Sequence, residues 1–297
     1  IENNRVIMFN EMHFNPRHRA FVVSWLKKCY DNGYRYLAAE TISAKDTLLN
    51  ERRTVLLGTS GFYSDEPVFG DFLRTAQNIG YDLVPYERTD MNKEREKAQA
   101  ENLIKNILEK DPDAKFILLG GMGHISDQDG WPSMGRYFRE ESGIDPFTLD
   151  CGVMFFGEQY EGMDSLREAF FTHIDNMQEK EPILVYDTIK NKYISFAGMD
   201  ATSCLPRTNF IEDNIPDWKV YNGKVLFSVN RRFLKKYGFE EGCVSAFLKS
   251  EGTECVPVDQ YMYFTDEEEF KLALYKGEYI LRFDNGESYK YKEIKVR

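Results

Sequence analysis

Residues 5–16, with the sequence RVIMFNEMHFNP, decide the fold class predicted for this chain. A short apolar run ends on Glu11 and His13, and Asn15-Pro16 then gives a signal for the start of a helix. A buried strand that leads into a helix in this way is typical of open α/β folds, whose ligands bind at the carboxyl edge of the sheet. Glu11 and His13 are therefore the first candidates for chemistry.

The residues that follow complete a strand, helix, strand unit. Apolar side chains in residues 21–29 recur at spacings of one, three and four, as an amphipathic helix requires. Residues 34–39 then predict a second strand, which ends on Glu40. Such a unit implies a parallel pair of strands with a right-handed crossover, so Glu11 and Glu40 are expected to face one pocket together with His13.

A second junction of the same form lies at residues 116–124, FILLGGMGH, where an apolar run passes through a glycine-rich turn to His124. Glycine lets the backbone approach a ligand closely, although it also simply permits a tight strand-to-helix turn. A third strand, at residues 81–87, likewise ends on Glu87, and a helix of strong helix formers includes Arg95. The chemistry is therefore expected at several strand ends on one edge of a parallel sheet.

The second half of the chain is less regular and predicts a β-rich end. Residues 182–187 and 224–229 are candidates to extend the sheet, whereas residues 204–218 have the composition of a long irregular segment. Two strand-like segments around Asn285-Gly286 predict a hairpin.

Length and charge limit the class of protein. At 297 residues the chain suits one large domain or two modest ones. We expect an α/β core at residues 1–155 that carries the site, and residues 156–297 continue the α/β fold into the β-rich segment. The net charge of −11 argues against a surface that binds nucleic acid, because neutralising phosphates requires clustered lysine and arginine. The densest basic cluster, at residues 231–236, is interpreted as a solvated helix face because Glu240-Glu241 follows it.

Two features of the sequence bear on the compartment. No apolar run approaches the ~20 residues that a membrane-spanning helix needs. The chain begins with Ile1 rather than methionine, which leaves room for a signal peptide or lipoprotein anchor upstream. An exported or periplasmic protein is expected if such a signal was removed, and a cytoplasmic protein otherwise.

The candidate catalytic residues are His13, Glu40, His124 and Glu11, and the candidate supporting residues are Arg95, Glu96, Arg74 and His18. The two strand-terminal glutamates end apolar runs, where burial raises a carboxylate pKa unless a cation or a hydrogen bond opposes it. One of them can then serve as a general base or hold a histidine in the correct tautomer. A structural alternative is an ion pair with Arg95 or Arg74. His18 is either a pocket residue or an exposed position on the helix.

A divalent metal is a competing explanation for the same residues. Two imidazoles with one or two carboxylates suit zinc, manganese or iron, and the ligands would be Glu11, His13, Glu40 and His124. The chain has no HExxH spacing, so such ligands would come from separate strand ends. It also lacks a GxSxG elbow, a P-loop and a GxGxxG turn after a strand.

These residues resemble the signature of the erythromycin esterase and ChaN-like superfamily, which also takes in the TIKI metalloproteases. The tetrapeptide Asn10-Glu11-Met12-His13 is similar to a GExH motif after the first strand, with Asn10 in place of glycine. Glu40 agrees as the end of the second strand, and so does Gly-x-Gly-His at residues 121–124. Residues 95–102 resemble an R-D/E-x-x-M-A-x-N helix start, with Gln99 in place of methionine.

The resemblance implies a three-layer α/β/α domain around a mainly parallel sheet. The pocket residues that it carries over are Glu11, His13, Glu40 and His124, with Arg95 and Glu96 as supporting charges. In esterase-like members a histidine activates water for attack on a lactone, which makes His13 the general base, oriented by Glu40 or Glu11. TIKI-like members use similar residues around a divalent metal, and ChaN-like members bind haem through side chains outside this core.

We therefore expect a hydrolase of small esters, lactones or amides that uses a water activated by histidine and glutamate, with or without a divalent metal. The alternative is a non-enzymatic protein of the cell envelope that binds haem, which is the less favoured cofactor, or another small ligand. A third hypothesis is a degenerate relative in which these residues only hold the turn together. The expected partner is a small molecule, and the sequence leaves the oligomeric state open.

Overall fold

The computed structural model describes residues 1–152, 163–177, 181–195, 198–211, 215–230, 234, 241–264 and 269–297. The expected boundary between residues 155 and 156 and the basic side chains of the 231–236 cluster lie outside these described residues. The chain forms two compact units. The first contains Ile1–Ala44 and Ala76–Asn209, and the second contains Lys45–Thr75 and Phe210–Arg297.

The first unit is built around a mainly parallel sheet. Its strands are β1 (Val6–Glu11), β2 (Tyr34–Ala39), β3 (Asp82–Val84), β4 (Lys115–Gly121), β5 (Phe147–Asp150), β6 (Ile183–Leu184), β7 (Tyr186–Asp187), β8 (Lys192–Tyr193) and β9 (Ala201–Cys204). Seven of them form one sheet in the order β3-β2-β4-β1-β5-β9-β6. The pairing is parallel from β3 through β9 and antiparallel at β6. The predicted α/β class with a mainly parallel sheet is confirmed.

Helices pack on both faces of this sheet. The α-helices among the described residues are α1 (Arg17–Asp31), α2 (Leu49–Arg52), α3 (Pro67–Ile79), α4 (Arg95–Leu103, continued by a π-helical turn at Ile104–Leu108), α5 (Met134–Ser142) and α6 (Met163–Met177). Successive residues of a strand point to opposite faces. Met8 of β1 accordingly shares a core cluster with Leu103 of α4, whereas the ring centroid of Phe9 lies 5.4 Å from that of Trp25 in α1. Within the described ranges, no helix is long and apolar enough to cross a membrane.

Strand β4 lies between β1 and β2. It pairs with β1 along the whole of β1, and β2 pairs with its other side. The expectation that β1 and β2 form one parallel pair is thus corrected, because a strand from later in the chain enters between them. Their carboxyl ends still lie on one edge, and Gly121 of β4, which pairs with Glu11, lies between those ends.

The second unit is rich in antiparallel strands. They are β10 (Phe210–Ile211), β11 (Ile215–Pro216), β12 (Val225–Asn230), β13 (Gly242–Leu248), β14 (Asp259–Tyr263), β15 (Glu269–Leu274), β16 (Gly277–Asp284) and β17 (Tyr289–Val296). β16 and β17 form the predicted hairpin around Asn285-Gly286, within a four-stranded sheet of order β14-β13-β16-β17. The prediction that residues 224–229 extend the parallel sheet is wrong, because β12 pairs with β15 instead.

Candidate active site

Four of the predicted residues meet at the carboxyl edge of the parallel sheet. Glu11 ends β1 and His13 follows it closely, Glu40 comes directly after β2, and His124 follows β4. Nε2 of His13 lies 3.6 Å from Oε2 of Glu40, and Nε2 of His124 lies 3.8 Å from Oε1 of the same carboxylate. Two imidazoles therefore flank one carboxylate.

Gly121, at the end of β4, provides the space for this arrangement. A Cβ atom built on Gly121 would lie 2.7 Å from Nε2 of His13 and 2.9 Å from Oε2 of Glu40, well inside the 3.5–4.0 Å at which non-bonded atoms attract. The Gly121 N–H also donates a hydrogen bond to Oε2 of Glu40. The glycine thus lets two side chains from the flanking strands meet above β4, a role that neither sequence interpretation of these glycines included.

His13 is fixed by the buried carboxylate of Glu11. Its Nδ1 lies 2.9 Å from Oε1 of Glu11, and the guanidinium of Arg19 donates to both oxygens of that carboxylate, at 2.6 and 2.9 Å. Arg19 also donates to the backbone carbonyl of His13, at 2.7 Å. Burial alone would raise the pKa of Glu11, but the hydrogen bond from His13 and the charge of Arg19 outweigh it and lower the pKa. Glu11 is therefore an ionised acceptor that orients the His13 ring.

His124 is held in the same way by Glu96, in the first turn of α4. Its Nδ1 lies 2.7 Å from Oε1 of Glu96, and Oε2 of Glu96 accepts the N–H of Met134 at 2.9 Å, at the start of α5. Burial lowers the pKa of His124, but the Glu96 hydrogen bond and the negative charge of Glu40 outweigh both burial and the charge of Arg95, so the pKa is raised above 6.5. His124 therefore keeps its proton to a higher pH than an ordinary histidine.

Glu40 is held by donors on both of its oxygens. Besides the Gly121 N–H, it accepts a hydrogen bond from Nη2 of Arg95 at 2.7 Å, and the same Arg95 is paired with Glu87. Thr41, the next residue, has a φ of 67°, a value that β-branched residues rarely adopt. The backbone that carries Glu40 is therefore held in place by its surroundings.

The supporting residues predicted from the sequence divide into two groups. Arg95 and Glu96 contact the site as described above. His18 is fully buried, so of the two alternatives for this residue the exposed helix position is wrong, and its Nδ1 accepts the backbone N–H of Met12 at 3.0 Å. Burial lowers the pKa of His18 to about 4 despite the charge of Glu11, so this ring is neutral near pH 7. Arg74 is instead bound by Asp71 and Glu251 in the second unit.

Three residues of the site have roles that the sequence interpretation did not identify. Arg19 is 1% exposed although the sequence around it, Arg17-His18-Arg19, is polar, and only its spacing from Glu11 could have suggested a pair. Glu87, which ends the predicted third strand, binds Arg95. Asn10, which replaces the glycine of the GExH motif, donates to Asp150 at 2.8 Å and accepts the Cys151 N–H at 2.6 Å, so it links β1 to the end of β5.

The donor set does not fit a metal ion or a haem iron. Arg95 Nη1 lies 3.3 Å from Nε2 of His124, where a cation would be repelled. Both Nε2 atoms lie within 4 Å of Glu40, which leaves no room for a porphyrin between them. In the described part of the chain, no group of three or more histidine, cysteine, aspartate or glutamate side chains is arranged to hold a metal ion.

A separate cavity of about 470 Å³ lies at the opposite edge of the sheet. It is lined by residues at the amino ends of strands and on α1, among them Ile7, Phe147, Trp25 and Lys28. None of the residues described above as the candidate active site lines it. The candidate active site at the carboxyl edge is therefore separate from this cavity.

No protein-family model matches the chain, and no curated protein sequence matches it. Among solved structures, the type III effector HopBA1 is 14% identical, with a TM-score of 0.36 over 53% of this chain and 80% of that chain. RRSP, a MARTX toxin effector domain from Vibrio vulnificus, is 14% identical, with a TM-score of 0.33 over 52% of this chain and 34% of that chain.

The C-terminal region of Pasteurella multocida toxin, described with a thiol-protease-like catalytic triad, is 12% identical, with a TM-score of 0.34 over 98% of this chain and 44% of that chain. The chain thus spans less than half the length of the two toxin chains. Similarity at this level identifies neither a family nor an activity.

Proposed function

We propose that this protein is a hydrolase of small esters, lactones or amides that uses a water activated by His13. The observation that carries the proposal is the pair of imidazoles on either side of Glu40, each fixed through Nδ1 by a second carboxylate. A ring whose Nδ1–H donates to a carboxylate presents the lone pair of Nε2 when neutral and can accept a proton there. His13 presents Nε2 at the partly exposed edge of the site, with its side chain 31% exposed.

The residues support a general acid–base reaction. A water molecule bound to Nε2 of His13 gives that nitrogen a proton as its oxygen attacks the carbonyl carbon, and Glu11 stabilises the imidazolium through Nδ1–H. His124 gives a proton from Nε2 to the leaving oxygen or nitrogen, and Arg95 stabilises negative charge that develops on the carbonyl oxygen. Glu40 lies between the two Nε2 atoms, so the proton gained by His13 can pass to His124 after the product leaves. Both histidines then return to their starting protonation states, so the protons balance over the catalytic cycle.

We also propose membership of the erythromycin esterase and ChaN-like superfamily, with its three-layer α/β/α domain. The order and spacing of Glu11, His13, Glu40 and His124 support this proposal, and so does the packing of helices on both faces of the sheet. The absence of a fitting metal set favours the esterase-like chemistry over that of the TIKI-like members.

The test is the turnover of p-nitrophenyl butyrate and a matched anilide by the wild type and His13→Ala. Removal of a general base is expected to lower kcat/KM by about 10²–10⁴-fold. His173→Ala, on the exposed surface of α6, is the control and should retain full activity. Equal turnover by wild type and His13→Ala would sink the proposal.

Two further measurements separate the competing hypotheses. If the residues only hold the turn together, His13→Ala and Glu40→Ala should each lower the free energy of unfolding by about 1–3 kcal/mol in a protein without turnover. If the protein instead binds haem, titration of the wild type with haem should produce a Soret band. Either result in place of ester turnover would contradict a hydrolase.

A further inference from the structure

Phe14 is exposed at the rim of the site although its backbone is firmly held. It is one of the two central residues of a turn closed by the Asn15 N–H to Met12 carbonyl hydrogen bond, at 2.7 Å. His13 is the other central residue, and Arg19 and His18 bind the backbone of the turn at His13 and Met12. The Phe14 side chain is nevertheless 77% exposed. A rigid backbone therefore presents an aromatic ring to solvent directly beside the proposed base.

Folding does not require an aromatic ring at this position. Burying a phenylalanine side chain typically stabilises a fold, and Phe14, which is mostly exposed, forgoes most of that gain. Tight turns favour glycine, asparagine, aspartate, serine and proline. The ring is thus better explained by contact with a ligand than by the stability of the turn.

Two further exposed apolar side chains lie on segments that follow parallel strands of the sheet. Met91 is 74% exposed on the segment after β3, and Trp131 is 56% exposed on the segment after β4. Segments that follow parallel strands leave the sheet at its carboxyl edge, where the site lies. Apolar side chains on these segments suit a substrate that carries an apolar group.

The charges of the site disfavour an anionic substrate. Its carboxylates are Glu11, Glu40, Glu87 and Glu96. The guanidiniums of Arg19 and Arg95 already donate to Glu11 and to Glu40 and Glu87, respectively. Even with His124 protonated, four carboxylates face three cations, and each cation already contacts a carboxylate, so a substrate carboxylate or phosphate would meet excess negative charge.

We infer that the site takes uncharged acyl substrates with a bulky apolar group next to the scissile carbonyl, and that Phe14 contacts this group and determines specificity. This inference rests on the proposed hydrolase function, because that function places the carbonyl at His13. The neighbouring position in the turn then places the apolar group at Phe14.

The experiment compares p-nitrophenyl acetate with the octanoate, and the butyrate with the anionic hemisuccinate. Wild type should prefer octanoate and butyrate. Phe14→Ala should lower kcat/KM for octanoate by about 10- to 100-fold, mainly through KM, because it removes one apolar contact of about 1.5–3 kcal/mol. Acetate should change less than about 3-fold, and Phe14→Leu should restore part of the octanoate rate. Phe62→Ala, where the ring is also 77% exposed, is the matched control and should change neither.

A binding measurement distinguishes failure of this inference from failure of the proposed function. Calorimetry of octanamide with His13→Ala, and with the His13→Ala/Phe14→Ala double variant, does not depend on turnover. Tighter binding without the second substitution supports the apolar contact even if no ester is hydrolysed, in which case the hydrolase proposal alone fails. The inference is overturned if turnover depends on His13 but shows no chain-length preference, and if both variants bind octanamide equally. The hydrolase proposal then stands without it.

Discussion

The imidazole rings of His13 and His124 lie in two different electrostatic environments. Each ring is oriented by a carboxylate on Nδ1, but Glu11 is neutralised by Arg19, whereas Glu96 accepts only from His124 and the Met134 N–H in the contacts described above. The excess negative charge near His124 favours its protonated form, and its pKa is raised. The proposed mechanism assigns the role of acid to His124 for this reason.

The pH profile should report this difference. Glu96→Gln removes the carboxylate that raises the pKa of His124, so the pKa should fall and the acid form should be lost at a lower pH. The alkaline limb of log kcat/KM, measured between about pH 5 and pH 9, should move to lower pH. Glu101→Gln, in the same helix and paired with Lys93, is the control and should leave the limb in place. An alkaline limb that does not move in Glu96→Gln would remove His124 from the role of acid.

At the level of elements, the site depends on the absence of a side chain at Gly121 in β4, the strand between β1 and β2. β4 separates β1 from β2, and side chains from the outer two strands can meet only because Gly121 has none. The same strand supplies the N–H that binds Glu40. A glycine in a fully buried strand normally weakens packing, and here that weakness is used to bring His13 and Glu40 together.

A pair of alanine substitutions in β4 tests this account. Gly121→Ala should push His13 and Glu40 apart and lower kcat/KM by about 100-fold or more, as a 1 Å misplacement can. In Gly120→Ala the added Cβ meets Ile125 at 3.3 Å, so it should destabilise the fold by about 1–3 kcal/mol with activity changed only a few-fold. The measurements are chemical denaturation and ester turnover of both variants. Equal loss of activity in the two variants would contradict the special role of Gly121.

The sequence predicts where individual strands lie better than it predicts which strands pair with each other. Apolar runs that end on Glu11, Glu40 and His124 identified the strand ends, and Asn285-Gly286 identified a hairpin, because each signal is local. Strand order is not a local property, so neither the entry of β4 between β1 and β2 nor the pairing of β12 with β15 could be read from the chain. Strand β9 was missed because its sequence, ATSC, is buried without being strongly apolar.

The same distinction applies to the site. The four central residues follow strands and were predictable from position. Arg19 was not, because a guanidinium in a helix normally indicates a solvated face, and its burial follows from a carboxylate that only the folded chain brings near. Gly121 was recognised in the sequence as part of a glycine-rich turn, but its role depends on which strands lie beside β4.

At the level of the whole molecule, the second unit is made from two distant segments of chain. The N–H of Val256 donates to the carbonyl of Val55, at 2.9 Å. Asp71 is fully buried in α3 and accepts from Lys224, Tyr221 and Tyr275 of the later segment. Burial alone would raise the pKa of Asp71, but the charges of Lys224 and Arg74 lower it, so the buried group is a carboxylate. Residues 45–75 and 210–297 therefore depend on each other.

A chain that ends at Asn209 should expose this dependence. Loss of Lys224 and both tyrosines leaves Asp71 without these partners, and a buried carboxylate that loses its partner typically destabilises by about 3–5 kcal/mol. Hydrogen exchange and limited proteolysis should show residues 45–75 unprotected, with self-association on gel filtration. Lys224→Met in the full chain is the comparison, and it should melt earlier yet remain monodisperse. A truncated chain with protected residues 67–75 would contradict the interdependence.

Because β4 comes late in the chain, the candidate site is completed late in synthesis and folding. Glu11, His13 and Glu40 are synthesised early, but Gly121 and His124 are made about a hundred residues later, and pairings of such long sequence separation form slowly. A chain that is being synthesised thus contains Glu11 and His13 well before Gly121 and His124, and in a refolding chain the long-range pairing of β4 with β1 forms late. On the proposed mechanism, ester turnover is therefore expected to appear late in folding, after β4 has paired with β1 and β2.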